Sequence, residues 1–169
     1  EELEPAHAII YNKNYFKKFE YWKLETKDHK DNLKETCEKI RFLIKDSIER
    51  QMVSDVPIGS LLSGGLDSSF ITKYASDFYK EKYGEKLQTF SVDYVDQEKN
   101  FVKNDFQPNT DNYYIDLMVR ELDTKHKKII LDTPELFESL EDAMIARDFP
   151  GMADVDSSYL LFFKNVKKD

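Results

Sequence analysis

The most constraining feature of the sequence is a short turn, rich in glycine and serine, that follows an apolar run and precedes an amphipathic one. Residues 62–69 read Leu-Ser-Gly-Gly-Leu-Asp-Ser-Ser, so a buried strand leads into a helix there. Gly64 and Gly65 lack a Cβ, and the backbone can therefore turn tightly and come close to a ligand. The N–H groups of the first helical turn have no intrahelical acceptor, and phosphate oxygens can fill that place. The sequence therefore predicts an anion-binding turn between a strand and a helix.

The polar side chains of this turn indicate that a metal ion accompanies the anion. Ser63, Ser68 and Ser69 supply hydroxyl groups. Asp67 places a carboxylate where a phosphate would lie, which is unfavourable unless a hard divalent cation such as Mg2+ lies between the two charges. The alternative is a plain structural turn, with a glycine at positive φ and a serine that caps the helix. The density of glycine, serine and aspartate in one octapeptide favours the anion site.

Two common nucleotide-binding motifs are excluded by their spacing. A Walker loop ends in Gly-Lys-Ser or Gly-Lys-Thr, but the first lysine after this turn is Lys73, well inside the predicted helix. A dinucleotide-binding turn needs Gly-x-Gly-x-x-Gly, and the two glycines of this turn are adjacent. The turn therefore belongs to another kind of phosphate site.

Ser-Gly-Gly-Leu-Asp-Ser-Ser resembles the pyrophosphate loop (PP-loop) of the N-type ATP pyrophosphatase superfamily. Its flanks narrow the resemblance, because Ser54–Gly59 reads Ser-Asp-Val-Pro-Ile-Gly and Gln88–Val92 reads Gln-Thr-Phe-Ser-Val. Both stretches are similar to the synthetase domain of glutamine-dependent asparagine synthetases. The similarity is strong over residues 30–92, weaker as far as residue 168, and faint over residues 1–25.

The resemblance implies a fold and a division of the chain. The fold is α/β, an incomplete parallel sheet with helices on both faces, similar to the adenine nucleotide alpha hydrolases. Residues 1–25 would be a remnant of the end of a preceding glutaminase domain, and residues 26–169 the N-terminal half of the synthetase domain. The family's glutaminase half begins with a catalytic cysteine, whereas residue 1 is Glu, and the family's second loop, of the Ser-Gly-Glu-Gly-x-Asp-Glu type, does not occur. We therefore expect a fragment or a truncated paralogue that is inactive alone.

The resemblance also implies a reaction. A substrate carboxylate, that of aspartate in the family, attacks the α-phosphorus of ATP and expels pyrophosphate, and ammonia from glutamine then displaces AMP. ATP and Mg2+ are the implied cofactors, and a glutaminase domain in the full-length protein is the implied partner. The reaction requires no protein nucleophile, and no catalytic residue is assigned. The residues implied to bind ATP are Leu61, Ser63, Gly64, Gly65, Leu66, Asp67, Ser68, Ser69 and Val92, of which Asp67 would also hold Mg2+.

A second stretch, residues 146–158, bears on the acceptor substrate. It contains Arg147 and three aspartates around a Pro-Gly turn, and is either a helix stop with a cap or one wall of the acceptor pocket. The family carries a threonine and an arginine-bearing turn here, whereas this sequence places Asp154 near the position of that arginine. The departure keeps one alternative open, another adenylating amide ligase similar to β-lactam synthetase. The missing second loop keeps open another, a non-catalytic ATP-binding module.

Composition argues against several other functions. A net charge of −8, with lysine and arginine spread among acidic residues, argues against a nucleic-acid-binding surface. No apolar stretch approaches the roughly 20 residues that span a bilayer, and the polar start is no signal peptide. The three histidines share no metal-ligand spacing. We therefore expect a cytoplasmic protein that binds neither nucleic acid nor membranes, with a homodimer left open.

Hydrophobic periodicity predicts the order of the elements. Strands at 6–11 and 19–24 form a hairpin, and a helix from Asp31, its candidate cap, to Met52 carries Cys37 on a buried face. A strand before the loop, a helix over 68–82 and a strand over 87–92 come next. A helix over 111–122, a strand over 128–131, a helix from its cap Thr133 to Ala146 and a helix over 156–168 then follow. This order predicts a parallel sheet that binds ligands at the carboxyl ends of its strands. The polar connection 93–110 is either an ordered flap over the nucleotide or a disordered loop.

Overall fold

The computed structural model describes residues 3–105 and 108–168, apart from the side chains of residues 153 and 154. The chain divides into two compact units, Glu1–Lys39 and Ile40–Asp169. The second unit contains the predicted loop and positions the candidate site. The domain boundary between residues 25 and 26 stays a prediction.

The first unit contains a β-hairpin. Strand β1 (His7–Asn12) pairs antiparallel with strand β2 (Tyr15–Glu20). The side-chain oxygen of Asn12 accepts a hydrogen bond from the N–H of Asn14 at 2.9 Å, which closes a two-residue turn. The predicted hairpin is confirmed, but the predicted second strand at 19–24 is wrong, because so tight a turn starts the strand four residues earlier.

Helix α1 (Leu33–Gln51) begins at a capping box formed by Asn32. The side-chain oxygen of Asn32 accepts a hydrogen bond from the N–H of Glu35 at 3.1 Å, and the Glu35 carboxylate accepts one from the N–H of Asn32 at 3.0 Å. The predicted cap at Asp31 is therefore wrong, because the next residue satisfies the N–H groups at the start of the helix.

Cys37 is exposed, although its helical spacing predicts burial. Among the described residues, the C-terminal end of α1 packs into a core through Ile48 and Met52. Leu33 and Ile40, in earlier turns, are 81% and 51% exposed. Helical spacing aligns apolar side chains on one face, but burial also requires another element to cover that face.

The second unit is built on a parallel sheet in the order β3-β4-β5, which confirms the predicted α/β fold. Its strands are β3 (Gly59–Leu61), β4 (Gln88–Tyr94) and β5 (Lys125–Leu131). Its helices after α1 are α2 (Leu66–Tyr83), α3 (Gln97–Asn100), α4 (Asp111–Leu122), α5 (Thr133–Glu138), α6 (Leu140–Arg147) and α7 (Ala153–Val166). Each strand is therefore separated from the next by at least one helix.

Helices cover both faces of this sheet. The hydroxyl groups of Ser60 in β3 and Thr72 in α2 are 2.8 Å apart, which places α2 on the face that bears Ser60. Thr89 lies opposite Ser60 and shares that face. Because consecutive strand residues point to opposite faces, Phe90 is on the other side, where it clusters with Phe162 of α7.

Several element boundaries differ from the predictions. Helix α2 begins at Leu66, two residues before its predicted start. The cap of α5 is Asp132, not Thr133, because the Asp132 carboxylate accepts a hydrogen bond from the N–H of Thr133 at 2.7 Å. The predicted helix from Thr133 to Ala146 is divided at Ser139, whose hydroxyl donates to the carbonyl of Leu136. Such a bond competes with regular helical hydrogen bonding.

Two apolar clusters hold this unit together. One joins the end of α1 to α2 and to the residue just before β4 through Ile48, Ala75 and Leu87. The other joins β5 to α7 through Leu131 and Phe162. Burial of each large side chain contributes about 1.5–3 kcal/mol, so the strands form a firm base for the loops at their carboxyl ends. In the described part of the chain, no helix has the length and apolar character that a bilayer crossing needs.

Candidate functional site

A cavity of about 630 Å³ lies at the carboxyl ends of β3 and β4. Its volume is within the range of roughly 300–1,000 Å³ that is typical of small-molecule sites. The predicted residues Leu61, Ser63 and Val92 line it together. Its other lining residues include Phe90, Ser91, Tyr94, Asp111, Ile115, Leu136, Val155, Ser158, Tyr159 and Phe162. The other six predicted residues, Gly64 to Ser69, do not line the cavity and continue the loop from Ser63 at its edge.

The Ser68 hydroxyl holds the loop in shape. It accepts a hydrogen bond from the N–H of Ser63 at 3.2 Å and donates one to the carbonyl of Gly65 at 3.1 Å. The Ser63 hydroxyl lies 2.9 Å from it. A hydroxyl has one proton and two lone pairs, so the Ser68 group is fully used within the loop. In this arrangement the Ser63 hydroxyl donates its proton to Ser68, and the N–H groups of Ser63 and Ser69 are bonded as well, so the N–H groups of residues 66–68 are the donors that remain for a ligand.

Gly64 is the position where the loop touches helix α4. Its φ is +80°, a left-handed conformation that residues with a Cβ rarely adopt. A Cβ at this position would lie 2.8 Å from the carbonyl oxygen of Asp111, and within 3.4 Å of side-chain atoms of Tyr114 and Ile115. The loop therefore packs against the start of α4 at Gly64. We call this contact surface on α4 the seat of the loop.

The N-terminus of helix α2 is open to a ligand. Gly65 is its N-cap and provides no side-chain hydrogen bond, so the first N–H groups of the helix are available. The Leu66 side chain is 91% exposed and can contribute only its backbone to an anion. Asp67 is exposed and, within the described residues, its carboxylate has neither a hydrogen bond nor an ion pair. Ser69 is half-buried, and its N–H is bonded to the carbonyl of Gly65 at 3.0 Å.

The charges around this site suit a phosphate chain that carries a divalent cation. Among the described residues that line the cavity, Asp111 is charged, and no lysine or arginine is present. Polyphosphate charge would therefore be balanced by the positive end of α2 and by a cation on Asp67, not by basic side chains. Backbone N–H groups for phosphate and the exposed Asp67 carboxylate for Mg2+ are the groups that such a ligand requires.

The sequence model of the asparagine synthase family matches residues 39–169, which include the whole loop and every residue that lines the cavity. The chain belongs to the asparagine synthase family. Membership implies the use of ATP. The chain is 41% identical over 168 residues to glutamine-hydrolyzing asparagine synthetase 3 of Bacillus subtilis, a match that covers 99% of this chain and 27% of that protein.

Two further asparagine synthetases match shorter stretches. Glutamine-hydrolyzing asparagine synthetase 1 of Bacillus subtilis is 40% identical over 77 residues, 46% of this chain and 11% of that protein. Glutamine-hydrolyzing asparagine synthetase B of Escherichia coli is 49% identical over 51 residues, 28% of this chain and 9% of that protein. The chain thus spans about a quarter of the length of the first of the three relatives.

The segment that bears on the acceptor substrate ties α6 to α7. The Arg147 guanidinium donates to both carboxylate oxygens of Asp156, at 2.7 and 2.9 Å. The pair passes over Gly151, where a Cβ would overlap both side chains. Arg147 is therefore paired and does not line the cavity. Asp154, which the resemblance aligns near the family's arginine, lies in α7, and its side chain is outside the described part of the structure.

Replacement of Gly151 by Ala is expected to open the ion pair between Arg147 and Asp156. The two groups that the new Cβ would overlap are the flexible ends of side chains. We therefore expect the free energy of unfolding to fall by about 1 kcal/mol and the fold to be retained. Urea unfolding of four proteins checks this: the wild type, Gly151→Ala, Asp156→Asn and the double variant. Asp156→Asn should lower the free energy of unfolding of the wild type but should not lower that of Gly151→Ala any further. Additive losses would contradict the expectation.

Residues 146–158, the stretch that the sequence offered as one wall of an acceptor pocket, contribute Val155 and Ser158 to the cavity, whereas Tyr159 and Phe162 of the same helix were not predicted. The Tyr94 hydroxyl donates to the hydroxyl of Ser158 at 3.2 Å across 64 positions of sequence. Tyr159 adds an aromatic lining. No local pattern marks such residues as neighbours, because the packing of the last helix on the sheet brings them together.

The connection 93–110 contains the short helix α3 and the half-buried Phe101. Residues 106 and 107, which belong to the same predicted connection, lie outside the described part of the chain. The prediction that this connection is a flap over the nucleotide, or else disordered, stays a prediction.

A chain of polar groups inside the sheet reaches the cavity. The Thr89 hydroxyl lies 3.0 Å from the Thr124 hydroxyl and 3.0 Å from Nδ1 of His126, and Nε2 of His126 lies 3.0 Å from the Ser91 hydroxyl. Thr89 and Ser91 are buried, and Ser91 lines the cavity. The sequence identified His126 only as one of three scattered histidines, because its contacts depend on the pairing of β4 with β5.

We expect His126 to make the protein less stable in mild acid. Burial lowers the pKa of His126 below its ordinary value of 6.5, and Lys128 lowers it further, whereas Asp116 opposes the shift. The unfolded chain therefore binds a proton more readily, so stability is retained above about pH 6.5 and lost as the pH falls through the folded-state pKa. The free energy of unfolding, measured from pH 8 to pH 5, should fall more steeply for the wild type than for His126→Gln. Parallel curves would contradict this expectation.

Proposed function

We propose that the full-length protein is an ATP-dependent synthetase that converts aspartate to asparagine, with release of AMP and pyrophosphate. The main support is the position of the cavity, which opens beside an uncapped helix N-terminus at the carboxyl ends of parallel strands. The asparagine synthase family match covers the same residues. The relatives described above are asparagine synthetases by name, so a β-lactam-synthetase-like ligase and a non-catalytic module are not favoured.

In this proposal the cavity holds the adenosine part of ATP. Backbone groups near Leu61 and Val92 would contact the base, and Phe90 and Phe162 offer apolar surface to it. Such a base fits a mostly apolar cavity with a few polar groups at its edge.

The loop from Ser63 to Ser69 holds the phosphates in the same proposal. N–H groups at the start of α2 would donate to the pyrophosphate as negative charge grows on it, when the aspartate carboxylate attacks the α-phosphorus. The Ser68 hydroxyl keeps those donors in place through its bonds to Ser63 and Gly65. Asp67 would hold Mg2+, which when bound supplies charge neutralisation to the phosphates.

The partners in the proposal follow the family. Aspartate is the acceptor, and ammonia would come from glutamine at a glutaminase domain of the full-length protein, with residues 1–25 at the end of that domain. Residues 26–169 would form the first half of the synthetase domain. A homodimer and a cytoplasmic location stay predictions.

Pyrophosphate release with a panel of amino acids tests the function. The full-length protein should release pyrophosphate from Mg-ATP when aspartate is present, and should form asparagine and AMP when ammonium is added. Glutamate and asparagine serve as controls. Release of ADP in place of AMP, or equal release with every amino acid, would contradict the proposal.

A further inference from the structure

Asp93, at the end of β4, is a largely buried carboxylate that is not among the predicted site residues. Its side chain is 13% exposed. One of its oxygens accepts a hydrogen bond from the side-chain amide of Asn112 at 2.8 Å, and the other accepts one from the N–H of Tyr94 at 2.8 Å. The Lys128 ammonium is more distant, at 3.9 Å. The bond from Asn112 is therefore the close contact that joins Asp93 to another element.

Asn112 lies in the first turn of α4 and is 8% exposed. The neighbouring carbonyl of Asp111 is the group that a Cβ on Gly64 would approach to 2.8 Å. A continuous path of contacts therefore runs from Asp93 through the start of α4 to the phosphate loop.

Within the described residues, the N-cap of α4 does not hold the first turn of the helix through a side chain. That residue, Thr110, makes no side-chain hydrogen bond to the helix. An amide donor to a charged acceptor is stronger than a neutral pair, and a buried one is costly to leave unpaired. The pair of Asp93 and Asn112 is thus well placed to fix the first turn of α4 against the sheet.

We propose that Asp93 and Asn112 are positioning residues that set the seat of the phosphate loop, and through it the alignment of the N–H donors for ATP. This inference rests on the proposed function in that it assigns the loop to ATP. Neither residue touches the nucleotide in this proposal, since each acts through α4 and Gly64.

An exchange of the two side chains tests the pair. Asn112→Asp sets two carboxylates against each other, and we expect the KM for Mg-ATP to rise by about tenfold or more. Asp93→Asn alone gives up the bond from the N–H of Tyr94 but keeps one acceptor oxygen for Asn112, so its KM should stay within about threefold of the wild type. The double variant Asp93→Asn/Asn112→Asp restores one donor and one acceptor, and its KM for Mg-ATP should return most of the way to the wild-type value. Asn14→Asp, which adds a carboxylate in the hairpin turn, is the matched control.

Amide hydrogen exchange of residues 63–69 provides a readout that does not depend on activity. In the full-length protein, Asn112→Asp should speed exchange of the hydrogen-bonded amides of Ser63 and Ser69 by about tenfold, and the double variant should reverse this. The KM for aspartate should change much less than the KM for Mg-ATP. A loop that exchanges at the wild-type rate in Asn112→Asp, or a double variant no better than the single one, would overturn the proposal.

Two further comparisons keep the outcome decisive. If Asn112→Asp does not fold, Asp93→Ala removes the acceptor without adding a charge, and unchanged exchange of residues 63–69 in that variant would overturn the proposal. Failure of the proposed function would appear in the wild type, as absence of aspartate-dependent pyrophosphate release. The exchange rates of the loop would still decide whether Asp93 and Asn112 position it.

Discussion

Replacement of Gly64 by Ala is expected to destabilise the protein by about 2–5 kcal/mol and to abolish most ATP-dependent pyrophosphate release. The left-handed φ of +80° strains any residue with a Cβ, and that Cβ would lie 2.8 Å from the Asp111 carbonyl oxygen. The loop cannot relieve the overlap without leaving its seat on α4, so the N–H donors move as well. Urea unfolding and pyrophosphate release by the full-length protein measure the two effects.

Gly65→Ala is the matched control, because the neighbouring glycine has a different environment. Its φ is −75°, and a Cβ there would approach only the Ser63 hydroxyl, at 3.6 Å. We expect a change in stability within about 1 kcal/mol. Its Cβ would enter the open space before α2 that the proposal assigns to pyrophosphate, so the KM for ATP should still rise. Equal destabilisation by both variants would show that the seat on α4 is unimportant.

Replacement of Asp67 by Asn is expected to lower Mg2+-dependent pyrophosphate release by about 100-fold or more, with the fold retained. The carboxylate is exposed and, within the described residues, unpaired, so its removal breaks no contact of the folded chain. Loss of its favourable charge at the start of α2 should cost no more than about 1 kcal/mol. The measurement is pyrophosphate release over a range of Mg2+ concentrations, together with thermal unfolding.

Asp77→Asn provides the control for this prediction. Asp77 lies in the same helix and is exposed, but it forms an ion pair with Lys73 away from the N-terminus. We expect wild-type release and an unchanged Mg2+ requirement. Full turnover by Asp67→Asn at every Mg2+ concentration would show that its carboxylate is not a metal ligand.

The local parts of the fold were predictable from the sequence. The strand, the loop and helix α2 follow one another within about 25 residues, and each depends on its own glycines, serines and apolar spacing. The order of strands and helices likewise predicts the parallel sheet. Boundaries were less accurate, since side chains such as Asn12, Asn32 and Asp132 decide where turns and helices begin, and several neighbours were equally plausible caps.

The errors and omissions share a physical cause. Cys37 has the spacing of a buried residue, but its burial depends on what covers that part of α1. The bond between Tyr94 and Ser158, and that between Asp93 and Asn112, join residues far apart in the sequence. Such contacts depend on strand register and helix packing, which local patterns do not specify.

The sequence by itself determined that a strand enters a helix through a loop of glycines and serines with a carboxylate beside it, because those features are contained in eight consecutive residues. Only the tertiary structure decided which groups of the loop face outward. The Ser68 hydroxyl is used within the loop, and Gly64 rests on α4, which the largely buried Asp93 contacts through Asn112. These roles depend on distances between separate elements, and those distances exist only once the helices have packed on the sheet.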